Sequence, residues 1–194
     1  MFYAHQKMVY PQVRKCIGHM DYLLNEFDND SCIISILKSL DKGKCGVSIA
    51  TCHNLSIDIC HSIVPRALEF SMAQNGKHLI VRLLNLMSVY PLNSSGKFSD
   101  ASGTGYTRNP PPKSSRLLMD ALLPKFVELS CDWHGNHVVQ ALIDNVRNTN
   151  DEAMWKELSE VVDANRFLLT GDQYGKHVVK VFELTTLGWQ GERV

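Results

Sequence analysis

The chain has 194 residues, and 20 Lys and Arg residues balance 20 Asp and Glu residues, so the formal net charge is zero. With 44% hydrophobic and 21% charged residues, the composition is that of a globular protein and excludes a disordered tail. No apolar run reaches the roughly 20 residues of a membrane span, so we expect no membrane partner. Nucleic-acid binders held mainly by phosphate contacts usually carry a basic excess, so any such activity here must be confined to one face.

Apolar residues recur at helical spacing along the chain, which predicts an all-α fold. Residues 1–64 are expected to form an N-terminal helical region with one or two degenerate repeats. Residues 65–90 are predicted to form a repeat whose two helices are separated at Asn75-Gly76. The Ser-, Gly- and Pro-rich residues 91–115 predict a flexible insert. Two further repeats are predicted over 116–148 and 149–194, with helices over 116–130, 135–147, 151–163 and 175–187.

Three segments of the sequence align without gaps around a shared glycine. They are FSMAQNGKHLIVRLL from Phe70, LSCDWHGNHVVQALI from Leu129 and LTGDQYGKHVVKVFE from Leu169. The glycines are 59 and 40 residues apart, and the first interval shortens to 34 when the 25-residue insert is removed. This period is typical of helical solenoid repeats. A weaker copy around Gly46 lacks the histidine, and whether it is a repeat stays open.

The residues that follow each glycine separate into two arcs on a helical wheel. In the second copy the polar arc contains Asn136, His137, Gln140 and Asp144, opposite an arc of aliphatic side chains. The glycine is expected to supply either an unusual backbone conformation or a close packing that a Cβ would obstruct. Stacked repeats would align the three histidines on one concave surface, where flat rings suit stacking on single-stranded bases; these are His78, His137 and His177.

The segments Asp132–Gln140 and Asp172–Lys180 resemble the core of Pumilio (PUF) repeats. The resemblance implies an armadillo-like right-handed α-superhelix of three-helix Pumilio-type repeats that binds RNA. Carried over by position, it implies that Asn136 and Gln140 contact the edge of one base, uracil in that family, and that His137 stacks on a base. His78 and His177 would stack in the other two copies.

The first and third copies depart from the family pattern at the edge-contacting positions. The first has Lys77 and Val81 there, and the third has Lys176 and Lys180. Lysine holds a phosphate as a point charge and valine offers no hydrogen bond, so the three lysines are expected to contact phosphate.

This pattern is most similar to the divergent PUF branch, whose members bind structured or ribosomal RNA precursors with little base code. We therefore expect a protein of ribosome or RNP assembly or of RNA processing, with single-stranded RNA, ribosomal or precursor, and other RNP proteins as partners. An alternative stays open: a protein-interaction α-solenoid that acts as a scaffold in a larger complex with little or no base recognition. The zero net charge and Val81 favour that alternative.

No catalytic motif stands out, so we expect no enzyme, no catalytic residues, no cofactor and no small-molecule substrate. Cys131, His134 and His137 have ligand-like spacing but no fourth ligand, so a structural thiol and an RNA-facing histidine are preferred to a metal site. The six cysteines include no CxxC pair, and the N-terminus lacks a secretory or transit signal. We expect an intracellular, reducing compartment, nuclear, nucleolar or cytoplasmic, with a mitochondrial location left open.

Overall fold

The computed structural model describes residues 57–89 and 114–191, and these ranges contain helices and no strand. The elements are α1 (57–63), a 3-10 turn (Val64–Arg66), α2 (Ala67–Met72), α3 (Gln74–Val89), α4 (Ser114–Leu122), a second 3-10 turn (Leu123–Lys125), α5 (Phe126–Ser130), α6 (Gly135–Thr149), α7 (Glu152–Gly171) and α8 (Gly175–Gly191). None of these helices combines the length and apolar character needed to cross a bilayer. The helices predicted over residues 1–56, the copy around Gly46 and residues 91–113 of the predicted insert lie outside the described ranges.

The first two repeats share one plan, in which a proline turn divides the first helix from the second. Pro65 and Pro124 each lie in a 3-10 turn, 11 residues before the repeat glycine. Proline lacks a backbone N–H and its ring clashes with the preceding turn, so it ends the first helix. The single helix predicted over 116–130 is therefore wrong in detail, because Pro124 divides it into α4 and α5. α4 also begins at Ser114, so the last two residues of the predicted insert are helical.

The third repeat merges its first two helices into one. Ala164 occupies the position of the prolines, and alanine favours a continuous helix. α7 therefore runs from Glu152 to Gly171, well beyond the predicted end at residue 163. Asp151 caps its N-terminus, where the Asp151 side chain accepts a hydrogen bond from Met154 N.

The three helices that contain the repeat glycines, α3, α6 and α8, pack side by side, with α6 between the other two. The predicted apolar arc is buried in α6 and in α3; its members are Val138, Val139, Leu142, Ile143 and Val146, and Leu79, Ile80, Leu83, Leu84 and Met87. In α8, Val178, Val179 and Phe182 are buried, and the exposed Glu183 accepts a hydrogen bond from Arg166 instead. This packing directs the opposite, polar side of all three helices to a common surface.

Polar contacts join neighbouring repeats in the described ranges. The buried Asn145 of α6 donates from Nδ2 to the carbonyl of Leu84 in α3 at 2.6 Å. Arg116 of α4 donates two hydrogen bonds to the carboxylate of Glu157 in α7, at 2.8 and 2.9 Å. Both contacts fix the register of one repeat on the next, because each links defined positions of two helices.

The repeat glycines serve close packing, which decides between the two roles expected from the sequence. A Cβ on Gly135 would lie 2.6 Å from the carbonyl oxygen of Leu129, and a Cβ on Gly175 would lie 2.6 Å from that of Leu169. A Cβ on Gly76 would collide in the same way with the backbone of Phe70, and none of the three has a left-handed φ. α6 and α8 begin at their glycines as predicted, whereas α3 begins two residues before Gly76.

Candidate nucleic-acid interface

A carboxylate holds the loop that leads into α6, and another holds the loop that leads into α8. Asp132 Oδ1 accepts from the backbone N–H groups of His134 and Gly135, at 2.9 and 2.7 Å. Asp172 Oδ1 accepts in the same way from Tyr174 and Gly175, both at 2.8 Å. These backbone donors lower the pKa of Asp172 below its ordinary value. The first turns of α6 and α8 are thus held in the same orientation.

The three predicted stacking histidines lie in the first turns of α3, α6 and α8, and all three are exposed. They form one row on the polar surface. Partial burial and then the charges of Lys77, His134 and His177 lower the pKa of His137, so these groups are its neighbours. Partial burial, Lys77, His134 and His137 act likewise on the pKa of His78. The rings of His78 and His137 are therefore mainly neutral near pH 7. Their stacking on bases stays a prediction.

The two residues expected to contact a base edge bind each other. Asn136 is only 4% exposed, and its Nδ2 donates to the carbonyls of Asp132 and Trp133, both at 2.8 Å. Its Oδ1 accepts from Gln140 Nε2 at 3.0 Å. Both amide protons of Asn136 are therefore committed to the loop, and a contact with a base would require them to be released. Gln140 is half-buried and keeps its Oε1 for another donor.

Sequence reasoning placed Asn136 on the polar arc and missed its structural role. Asn and Gln four residues apart on a helix are known to pair, and this spacing was the available signal. The base-edge role of Asn136 and Gln140 stays a prediction, in which Gln140 is the more accessible partner.

The lysines at the edge-contacting positions differ in exposure. Lys77 is half-buried beside the histidine row, whereas Lys176 and Lys180 are exposed and one turn apart on α8. Val81 packs against the hydrophobic core and offers nothing to a base. The same surface therefore carries cations at its two outer repeats and an amide in the middle.

Cys131 and His134, which have ligand-like spacing in the sequence, lie beside this surface. The thiol of Cys131 is hydrogen-bonded to Asp172, and burial followed by that carboxylate's charge raises the pKa of Cys131. His134 is half-buried with its Nδ1 lacking a partner. In the ranges that the structure describes, no three His, Cys, Asp or Glu side chains are grouped as metal ligands would be.

Next to the row lies an aromatic pair, an exposed tryptophan and a half-buried tyrosine, which the sequence analysis did not single out. Trp133, in the loop before α6, is 60% exposed, and its ring meets Tyr174 of the next repeat edge to face, with centroids 5.5 Å apart. The pairing joins two repeats, so no local pattern could predict it.

Comparisons with known proteins identify the fold. No family model and no curated protein matches the chain. It is similar to a Puf4 double mutant bound to the Cox17 RNA 3′ UTR recognition sequence, with a TM-score of 0.62 and 15% identity over 91% of this chain and 43% of that chain. It is also similar to the Puf4 RNA binding domain bound to the HO endonuclease RNA 3′ UTR recognition sequence, with a TM-score of 0.56 and 14% identity over 93% and 47%.

The chain spans less than half the length of these Puf4 structures. At such low identity the likeness concerns the fold alone. The predicted fold class is confirmed for the described residues, which form an all-α, armadillo-like right-handed superhelix of helical repeats with the architecture of the Puf4 structures.

Proposed function

We propose that the polar surface formed by the first turns of α3, α6 and α8 binds single-stranded RNA. The row of His78, His137 and His177 carries this proposal, because three exposed rings on equivalent positions of stacked helices offer flat surfaces on which successive bases of one strand can stack. The fold supports it, since the Puf4 structures with the same architecture were solved with RNA recognition sequences.

Cations lie near the histidine row. Lys77, Lys176 and Lys180 lie at the edge-contacting positions of the outer repeats, where phosphates of a curved strand would pass. The protein as a whole has zero net charge, so we propose that these three lysines supply phosphate contacts on this surface. Three phosphate contacts to a single strand predict that the logarithm of affinity falls with the logarithm of salt with a slope of about −2.

The finer function follows from how little base code the surface offers. Gln140 is the accessible amide, Val81 offers none, and the third repeat offers two cations. Such a surface holds RNA with weak sequence preference, which fits a role in RNP assembly or RNA processing, with ribosomal or precursor RNA and other RNP proteins as partners. We propose this role for an intracellular compartment, and none of the features above calls for catalysis.

The test is a fluorescence anisotropy titration with a labelled single-stranded oligouridylate at several salt concentrations. A variant with Lys77, Lys176 and Lys180 changed to alanine should bind more weakly and lose most of the salt slope. The control replaces Lys125 and Lys156, two exposed lysines outside α3, α6 and α8, by alanine. It should keep the parent's slope; equal slopes in all three proteins would remove the lysines from RNA binding.

A scaffold function is the second candidate, favoured by apolar exposure on the third repeat. Phe167 is 96% exposed and Leu187 is 69% exposed. Both residues belong to the third repeat, and exposed apolar surface is typical of protein-binding sites when it forms a continuous patch. Failure of the parent protein to bind any single-stranded RNA at low salt would favour this candidate over RNA binding.

A further inference from the structure

The exposed tryptophan beside the histidine row has an arrangement that packing alone does not require. Trp133 leaves 60% of its surface in water and contacts Tyr174 edge to face, with an interplanar angle of 87°. An edge-to-face contact keeps a ring in position while leaving an aromatic face open. A tryptophan recruited only to join two repeats would be expected to bury more of its ring.

The backbone around Trp133 is held at several points, so the ring is preorganised. The carbonyl of Trp133 accepts a hydrogen bond from Asn136. The carboxylate of Asp132 accepts hydrogen bonds from the backbone N–H groups of His134 and Gly135. Asn136 in turn holds Gln140, so the loop and the first turn of α6 form one connected network. Ordering this ring on binding therefore costs little conformational entropy.

The loop also lies alongside the histidine row. His134, the next residue, influences the pKa of both His78 and His137, which places it next to the first two members of the row. Trp133 contacts Tyr174, immediately before the glycine of the third repeat. Trp133 and Tyr174 thus lie in the loops that lead into α6 and α8, beside the row of histidines on the helices.

We propose that Trp133, positioned by Tyr174, stacks on a base of single-stranded RNA at the loop edge of the surface, outside the three helical stacking positions. This inference rests on the proposed RNA binding and adds a site to it. Base stacking on an aromatic side chain is sequence-tolerant, so the site takes any of the four bases. Its loss should weaken binding by roughly 5- to 150-fold.

The test compares four proteins in titrations with the same single-stranded oligouridylate: the parent, Trp133→Leu, Trp133→Phe and the control Phe167→Leu. Anisotropy of the labelled strand gives affinity, and tryptophan emission with unlabelled strand reports stacking on Trp133. We expect the parent's emission to be quenched at the midpoint of the anisotropy curve. Trp133→Leu should bind at least about fivefold more weakly, and Trp133→Phe should recover most of the affinity without the quenching. Phe167→Leu, at a more exposed aromatic on α7, should match the parent in both signals.

Three outcomes overturn the inference in distinguishable ways. If the parent binds RNA and Trp133→Leu binds equally well, the loop site is absent while the proposed function stands. If the parent shows no binding, both proposals fail. Should Trp133→Leu melt well below the parent by circular dichroism, Trp133→Phe decides: quenching that persists in this variant comes from another tryptophan and contradicts stacking on Trp133.

Discussion

Adding a single methyl group at Gly135 should destabilise the fold, because the glycine makes room for the end of α5. A Cβ there would lie 2.6 Å from the carbonyl oxygen of Leu129 and 3.0 Å from its Cα. Ordinary contacts between non-bonded heavy atoms are at about 3.5 Å, so α5 and α6 would have to separate by about 1 Å. Overpacking of this kind costs about 1–3 kcal/mol, and the better helix propensity of alanine returns up to about 1 kcal/mol. We expect Gly135→Ala to lower the free energy of unfolding by about 1–2 kcal/mol.

Gly171 provides a matched control for this substitution. It ends α7, and a Cβ on it would meet nothing within 4 Å. Urea and thermal unfolding followed by circular dichroism should show Gly171→Ala at or slightly above the parent's stability. Gly135→Ala should melt about 2–4 °C lower for each kcal/mol lost in a domain of this size. If the two variants unfold at the same midpoint, close packing is not the reason for the repeat glycine.

Three further predictions concern the loops and the base contact. In the first repeat Ala73 occupies the place of Asp172, and the backbone conformations are nearly the same: φ −91° and ψ 141° at Ala73, φ −88° and ψ 147° at Asp172. Ala73→Asp should therefore supply the carboxylate acceptor that this repeat lacks. We expect it to raise the free energy of unfolding by about 0.5–2 kcal/mol in urea titrations. Folding lowers the pKa of Asp172, so the stabilisation that its carboxylate gives is complete above the ordinary Asp value of about 3.9 and is lost as the pH falls through the folded pKa. The free energy of unfolding of Asp172→Ala should therefore fall less in acid than the parent's does. The same dependence on pH in both proteins would contradict the carboxylate's role. Gln140→Glu should shift binding from uracil toward guanine in a competition between strands that differ at one base, since a carboxylate accepts from guanine's donor edge; unchanged preference would exclude Gln140 as an edge contact.

The repeat architecture could be predicted from the sequence because its cause is local periodicity. The shared glycine and an apolar residue at the position of Leu142 recur in all three copies, and the apolar arc is reproduced in the buried face of α6. The merging of two helices into α7 was also within reach, since the third copy lacks the proline found 11 residues before the other glycines.

The details of the surface depend on contacts that a wheel does not represent. The wheel places Asn136 among the polar residues, yet the loop carbonyls bury it and use both of its amide protons. Trp133 meets Tyr174 across 41 positions of sequence, a distance set by the stacking of repeats. The choice between backbone conformation and close packing at Gly135 likewise needed the position of Leu129.

The central claim is that the first turns of α3, α6 and α8 bind single-stranded RNA. Ultraviolet crosslinking of the protein to single-stranded RNA, followed by mass spectrometric mapping of the crosslinked peptides, tests it most directly. We predict crosslinks in the peptides that contain His78, His137 and His177, with Trp133 among the crosslinked residues. Crosslinks confined to α4 and α7, or none at all with RNA in excess, would contradict the account.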